Sequence, residues 1–285
     1  MKSILHISDL HFGTEDPVIA AALHDDIAGK TGERPTLVAI SGDLTQRARK
    51  SEYRAARAFL DALPVPYVVV PGNHDVPLYN VFARFFRSLD RYRDHITEDL
   101  TPTFFDDDLA VIGIATAHGF AVKNGRIDKR HLDKVCRELA PISARWKVLV
   151  AHHPFVVPAG VDEDVVEGAA KAMPRLEDCG VDVILTGHMH VAYATDAAGY
   201  RNEDRRVISV HAGTCISTRT RGEVNGYNRL VFDGDRLTLT HRVWDGQRFV
   251  DGPGKVYRQT GGRHGEDVEL VREAVSEGTA VPTPA

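Results

Sequence analysis

The sequence predicts a layered α/β fold on three observations. Short apolar runs alternate with helix-period segments through the first two-thirds of the chain. Turn-separated strands then replace the helices. Polar clusters rich in Asp, Asn and His follow five of the predicted strands directly. Taken in order, residues 4–8 read as a buried strand, 18–27 as a helix and 36–41 as a second strand. Residues 51–62 read as a helix with Ser51 at its N-cap, and 67–70 as a third strand. A helical segment is expected over 81–89, with aromatic residues at Phe82, Phe85 and Phe86. Residues 109–115 form a strand, 129–139 a helix, 147–151 a strand, 165–179 a mainly helical segment and 181–185 a strand. Beyond them, 207–211, 229–232 and 237–243 read as strands, with Asp233-Gly234-Asp235 as a hairpin turn. This β-α-β-α order favours largely parallel strands. One domain over residues 1–275 is the simplest organisation, with a helical insert over about 77–103, a β-rich C-terminal part over about 191–260 and a flexible tail over 276–285.

Composition bounds the function classes. A chain of 285 residues with 43% hydrophobic and 26% charged residues is ample for a full core. The formal net charge of −5 argues against long DNA or RNA as the main partner, since nucleic-acid binders carry a basic face. Cys136, Cys179 and Cys215 are far apart and make no CxxC, so they read as free buried thiols in a reducing cytoplasm. His6 and Asp9 interrupt the apolar N-terminus, and no stretch approaches 18 apolar residues, so neither a signal peptide nor a membrane span is expected. A cytoplasmic protein is the expectation. Oligomeric state stays open, a homodimer through the helical insert or the C-terminal strands being one option.

The five clusters carry the chemistry. They are Asp9-Leu10-His11, Gly42-Asp43, Gly72-Asn73-His74-Asp75, His152-His153-Pro154 and Gly187-His188-Met189-His190. Ligands of open α/β sheets bind beyond the carboxyl ends of strands, so clusters at that edge converge on one site. Carboxylates, neutral imidazoles and an amide oxygen suit Zn, Mn or Fe. Seven candidate ligands exceed the need of one ordinary metal ion and match a pair of ions sharing a carboxylate. Glycines at 42, 72 and 187 permit tight turns and close backbone approach. Each cluster alone has a plain reading as a turn, a solvated loop or a satisfied buried pair. The ordered set, each member after a strand, points to function. No G-x-S-x-G or Walker pattern offers a different chemistry.

In this order the motifs DLH, GD, GNHD, HHP and GHMH resemble those of the calcineurin-like metallophosphoesterases, over about residues 4–190. The resemblance implies a four-layer α-β-β-α sandwich with two central mixed sheets, the C-terminal strands supplying much of the second. It implies two divalent or mixed-valence metal ions (Mn, Fe or Zn). Asp9, His11 and His190 would hold one ion; Asn73, His152 and His188 the other; Asp43 would bridge them. His152 rather than His153 matches the ligand position. The implied reaction is phosphoester hydrolysis by water activated between the ions, with His74 as general acid. Asp75 either supports His74 by a hydrogen bond or closes the turn. Gln46 stands where purple acid phosphatases carry a tyrosine ligand, and GNHD departs from the GNRD usual in sugar-lipid pyrophosphohydrolases. The segments Ser8-Asp9-Leu10-His11-Phe12-Gly13 and Gly42-Asp43-Leu44-Thr45 look like the bacterial cyclic-nucleotide phosphodiesterases and the related glycerophosphodiesterases. A small phosphodiester such as cAMP is therefore the expected substrate. UDP-sugar-lipid pyrophosphohydrolase, phosphomonoesterase, protein phosphatase, nuclease and a non-catalytic scaffold are the alternatives. Candidate substrate-facing segments are 77–103, with Arg84, Arg87, Arg91 and Arg93, and 158–167. Ser217, Arg219 and Arg221 either border the site or only turn the chain. His6, His24, His95, His118, His131, His241 and His264 lack a motif and read as structural or surface residues.

Overall fold

A computed structural model of the chain describes residues 1–77, 87–119, 124–157, 164–197, 207–260 and 269–273. Its strands form two mixed sheets. In the first, β1 (Lys2–Ile7), β2 (Leu37–Ile40) and β3 (Tyr67–Val69) run parallel. β10 (Gly226–Asp233) pairs antiparallel with β1, and β11 (Arg236–Trp244), β12 (Phe249–Thr260) and β13 (Glu269–Glu273) follow, each antiparallel to its neighbour. In the second sheet β5 (Leu109–Gly113), β6 (Trp146–Val150), β7 (Val183–Thr186) and β9 (Val207–His211) are parallel. Its edges are the antiparallel β4 (Thr103–Phe105) and β8 (Tyr193–Ala197). The expected C-terminal strands thus divide: one joins the second sheet, and the hairpin at Asp233 extends the first.

The layering follows from period-two alternation along each buried strand. Leu37 and Ala39 face the second sheet while Val38 and Ile40 face helices. Val148 and Val150 face the first sheet, and Leu149 faces the other way. Three apolar layers result, which make four layers of structure. The first lies under α1 (Pro17–Ile27) and α2 (Lys50–Asp61), the second between the sheets, and the third under α4 (Lys129–Leu139) and α5 (Ala169–Asp178). A short α3 (Asp90–His95) packs on α2. Asp16 caps α1, accepting from the Val18 and Ile19 amides, which the sequence reading did not single out.

Several expectations are corrected. Arg49, not Ser51, takes the N-cap position of α2, and Glu52 reaches back to the amides of Arg47 and Arg49. Cys136 and Cys179 form a disulfide across α4 and the end of α5, with Cα atoms 5.1 Å apart, so only Cys215 is the expected free buried thiol. The pairing arises because the two helices pack side by side, which spacing in sequence does not reveal. It also removes cysteine usage as an argument for a reducing compartment. The helix expected over 81–89 and the tail over 276–285 fall wholly or mostly outside the described residues. No helix among the described residues is long and apolar enough to cross a membrane.

Candidate metal centre

The carboxyl ends of β1, β2 and β3 meet those of β6 and β7 at one edge of the sandwich. The turns there are unusual. Asp9, His11, Asp43, His188 and His190 adopt left-handed backbone with φ between 46° and 76°. Only two other non-glycine residues among those described do so, Ala48 and Arg221, so strained backbone concentrates at this edge. Cross-turn hydrogen bonds hold it: Asp9 N donates to Gly42 O at 3.2 Å and His11 N to Asp43 O at 2.9 Å. His188 N donates to Asp9 Oδ2 at 3.0 Å, tying the two sheets together.

The glycines explain how donor groups come so close. A Cβ on Gly72 would sit 2.1 Å from Asp43 Oδ1, and one on Gly187 would lie 2.5 Å from Asp9 Oδ2. One on Gly42, whose φ is +96°, would lie 2.7 Å from His152 Nδ1.

Two donor sets result. Asp9, His11, Asp43 and His190 each place one ligand atom within 4.8 Å of all the others, and all four are buried. The second set converges on Asn73 Oδ1, which lies 3.0 Å from both His152 Nε2 and His188 Nδ1. Asp43 faces both: Oδ2 is 3.7 Å from His11 Nε2, and Oδ1 is 3.4 Å from His152 Nε2. Main-chain carbonyls fix the imidazole tautomers. Nδ1–H groups donate to Ser41 O from His152 at 2.7 Å, to Arg219 O from His190 at 2.7 Å and to Thr45 O from His11 at 3.4 Å. In each case Nε2 is turned toward the carboxylates.

This donor set fits a pair of divalent cations. Asp9 Oδ1 is fully buried and accepts no hydrogen bond. The Nε2 atoms of His11 and His190 face each other at 3.3 Å, an arrangement that a cation between them would stabilise. Burial pushes the Asp9 and Asp43 carboxyls up, but the imidazoles around them outweigh it and hold both below the usual range. Burial lowers His152, yet the Asp43 and Asp9 carboxylates carry it up to about 9.

His74 and Asp75 take different positions from those two groups. His74 is half-buried; its backbone N–H donates to Asp43 Oδ1 at 2.8 Å, and its Nδ1–H to Gln46 O at 2.8 Å. Nε2 is therefore the ring atom left to face the site. The Asp75 carboxylate does not bond to the His74 ring. It accepts from the amides of Gly72, Leu44 and Thr45 at 2.8–3.1 Å, so it closes the turns after β2 and β3, the second of its two expected roles. Burial and the Asp43 charge raise its carboxyl to about 6, against those amide bonds.

Other expectations sort as follows. His153 Nδ1 pairs with Thr116 Oγ1 at 2.8 Å, and its donor nitrogen lies within 4.8 Å of those of His152 and His188. Arg91 donates to Ala48 O, and Arg87 and Arg93 approach Asp90, so these three are engaged within the chain; Arg84 and residues 158–163 lie outside the described residues. Arg219 does border the site, with Nη1 3.3 Å from His74 Nε2 and from Gln46 Oε1. His6 is buried on β1, its Nε2 2.9 Å from Ser41 Oγ. Thr214 and Ser41, which no motif flagged, set the orientation of His190 and His152.

A two-sheet α/β sandwich with clustered Asp, Asn and His donors across its strand ends defines a metal-dependent phosphoester hydrolase. The chain belongs to the calcineurin-like phosphoesterase family, whose profile matches residues 2–192. It is 28% identical over 241 residues to a probable cyclic nucleotide phosphodiesterase of Rhodococcus erythropolis, covering 78% of this chain and 74% of that one. It is also 28% identical over 264 residues to a cAMP/cGMP dual specificity phosphodiesterase of Mycobacterium tuberculosis, covering 84% and 78%. A glycerophosphodiester phosphodiesterase of Enterobacter lignolyticus is 38% identical over 80 residues, 25% of this chain and 29% of that one. Among solved structures, a purple acid phosphatase from yellow lupin superposes with a TM-score of 0.64 at 14% identity, over 88% of this chain. The chain spans about half (52%) of that structure, and the likeness shows the fold alone.

Proposed function

We propose that this protein hydrolyses small phosphodiesters, cyclic nucleotides foremost, with two divalent ions held by Asp9, His11 and His190 on one side and Asn73, His152 and His188 on the other. Asp43 is shared between them. The observation that carries this reading is the orientation of Asp43, whose two oxygens face the two donor sets separately. Bound ions would supply Lewis acidity and a nucleophile at neutral pH.

The chain's own groups do the rest. The carbonyls of Thr45, Ser41 and Arg219 keep His11, His152 and His190 in the Nε2-ligating tautomer. Asp75 ties the turn that carries Asp43 to the turn that carries His74. His74, anchored through Nδ1, presents Nε2 to the leaving oxygen and delivers a proton there. The names of the Rhodococcus and Mycobacterium relatives favour cyclic nucleotides. The local likeness to the Enterobacter protein favours glycerophosphodiesters as a second reading. A panel of cyclic nucleotides, glycerophosphodiesters, an aryl phosphodiester, a nucleotide-sugar lipid and phosphomonoesters, run with Mn²⁺ and with metal content measured, tests both. Turnover confined to phosphomonoesters or the sugar lipid would refute the phosphodiester reading.

A further inference from the structure

The geometry points to Arg219 as the residue that grips the substrate's phosphoryl group, an inference that rests on the phosphoester reading above. Its main chain is pinned from two sides. The carbonyl accepts from His190 Nδ1 at 2.7 Å and Thr214 Oγ1 at 2.9 Å, and its amide donates to Ser217 Oγ at 3.2 Å. With the backbone fixed, the half-buried side chain reaches back across the site to His74 Nε2 and Gln46 Oε1, both at 3.3 Å.

Both partners lie at long hydrogen-bond distance, and neither is a carboxylate. Among the described residues no carboxylate lies within ion-pair distance of this guanidinium, and its side-chain hydrogen bonds to them use Nη1 alone. A guanidinium carries five N–H donors in a fork matched to phosphate. A phosphoryl oxygen entering beside His74 gives Arg219 a charged, bidentate partner in place of two long contacts. The same movement takes a competing N–H donor away from His74 Nε2, the atom that must face the leaving oxygen. Gln46 then guides the side chain rather than binding it. Arg219 thus holds the ester beside His74, from a backbone tied to His190.

The test uses the full chain loaded with Mn²⁺, with inorganic phosphate as the probe. Arg219→Gln and Arg219→Lys are compared with the parent by calorimetric phosphate titration, KM for an aryl phosphodiester, metal content and Tm. Arg219→Gln is expected to weaken phosphate binding and raise KM by about 10- to 100-fold, the range for a charge-assisted bond. Metal content should stay at the parent value, because the group supporting His190 is a main-chain carbonyl. Arg219→Lys keeps the charge without the fork and should recover part of the loss; it also serves if Arg219→Gln does not fold. Phosphate affinity and KM within twofold of the parent in either folded variant would overturn the inference, as would a fall in Tm with no change in affinity. Phosphate titration needs no turnover. A parent that binds phosphate but cleaves no ester would therefore sink the functional reading while leaving this inference to be judged on affinity.

Discussion

Replacing Gly72 by alanine isolates how much the centre depends on backbone approach. Gly72 has φ −105° and ψ −175°, which alanine adopts without strain, so the cost is steric alone. The added Cβ would lie 2.1 Å from Asp43 Oδ1 and 2.4 Å from Asp43 N, against 3.4–4 Å for ordinary contact. Neither atom belongs to a flexible tip, because Asp43 is buried and its Oδ1 also accepts from His74 N at 2.8 Å. Relief requires movement of roughly 1 Å in the shared carboxylate, and misplacement of that size costs on the order of 100-fold in rate. Gly72→Ala should therefore lose about two orders of magnitude in kcat on an aryl phosphodiester, with weakened retention of metal on dialysis. Gly213→Ala is the control, since its nearest contact would be 3.6 Å away. Metal content and kcat within twofold of the parent for Gly72→Ala would refute the shared position of Asp43.

Three further outcomes are expected. Burial holds His6 and His211 down to about 3 and His241 down to about 4, against 6.5 for the free side chain, so all three stay neutral in the fold while the unfolded chain takes up protons. Stability is then fully present above about pH 6.5 and lost as pH falls toward 4, by about 2 kcal/mol per histidine at pH 5; urea unfolding at pH 7.5 and 5 measures it, and equal midpoints would contradict it. His152, raised to about 9 in the metal-free chain, must shed its proton to take a cation. Metal titration at pH 7.5 in buffers of different ionisation enthalpy should show about one proton released per chain at this group, and no buffer dependence would count against it. His74→Ala should slow esters with poor leaving groups by about 100- to 10,000-fold, leave activated aryl esters far less affected and keep its metals; an equal loss on both would remove the proton-donor role.

What the sequence disclosed depended on whether the signal was local. β1, β2, β6 and β7 are largely buried on both faces, so they read as apolar runs, and each ends on its polar cluster. β12 was missed because it contains Gly252, Pro253 and Gly254; the proline falls where the β11–β12 register shifts between Thr240 and Arg242, a place in the ladder that tolerates a missing N–H. The disulfide was not legible, and the place of Arg219 stayed open between two readings, for a different reason. Arg219 meets His74 across 145 positions and Gln46 across 173, and only the packing of the two sheets brings them together. Asp75 stood inside a recognised motif, yet its role became clear only from three amides contributed by two separate turns.

The hydrogen bond from His188 N to Asp9 Oδ2 and the approach of His152 to Asp43 both cross from one sheet to the other. No single sheet owns a complete donor set, and neither half of the chain can assemble the centre alone. Cation uptake would therefore require both sheets to be in place. Cations held there would act as a clasp across that seam: stripping them should loosen the sheets from each other at this edge first, where hydrogen exchange would register the opening before the core between β6 and β7 responds.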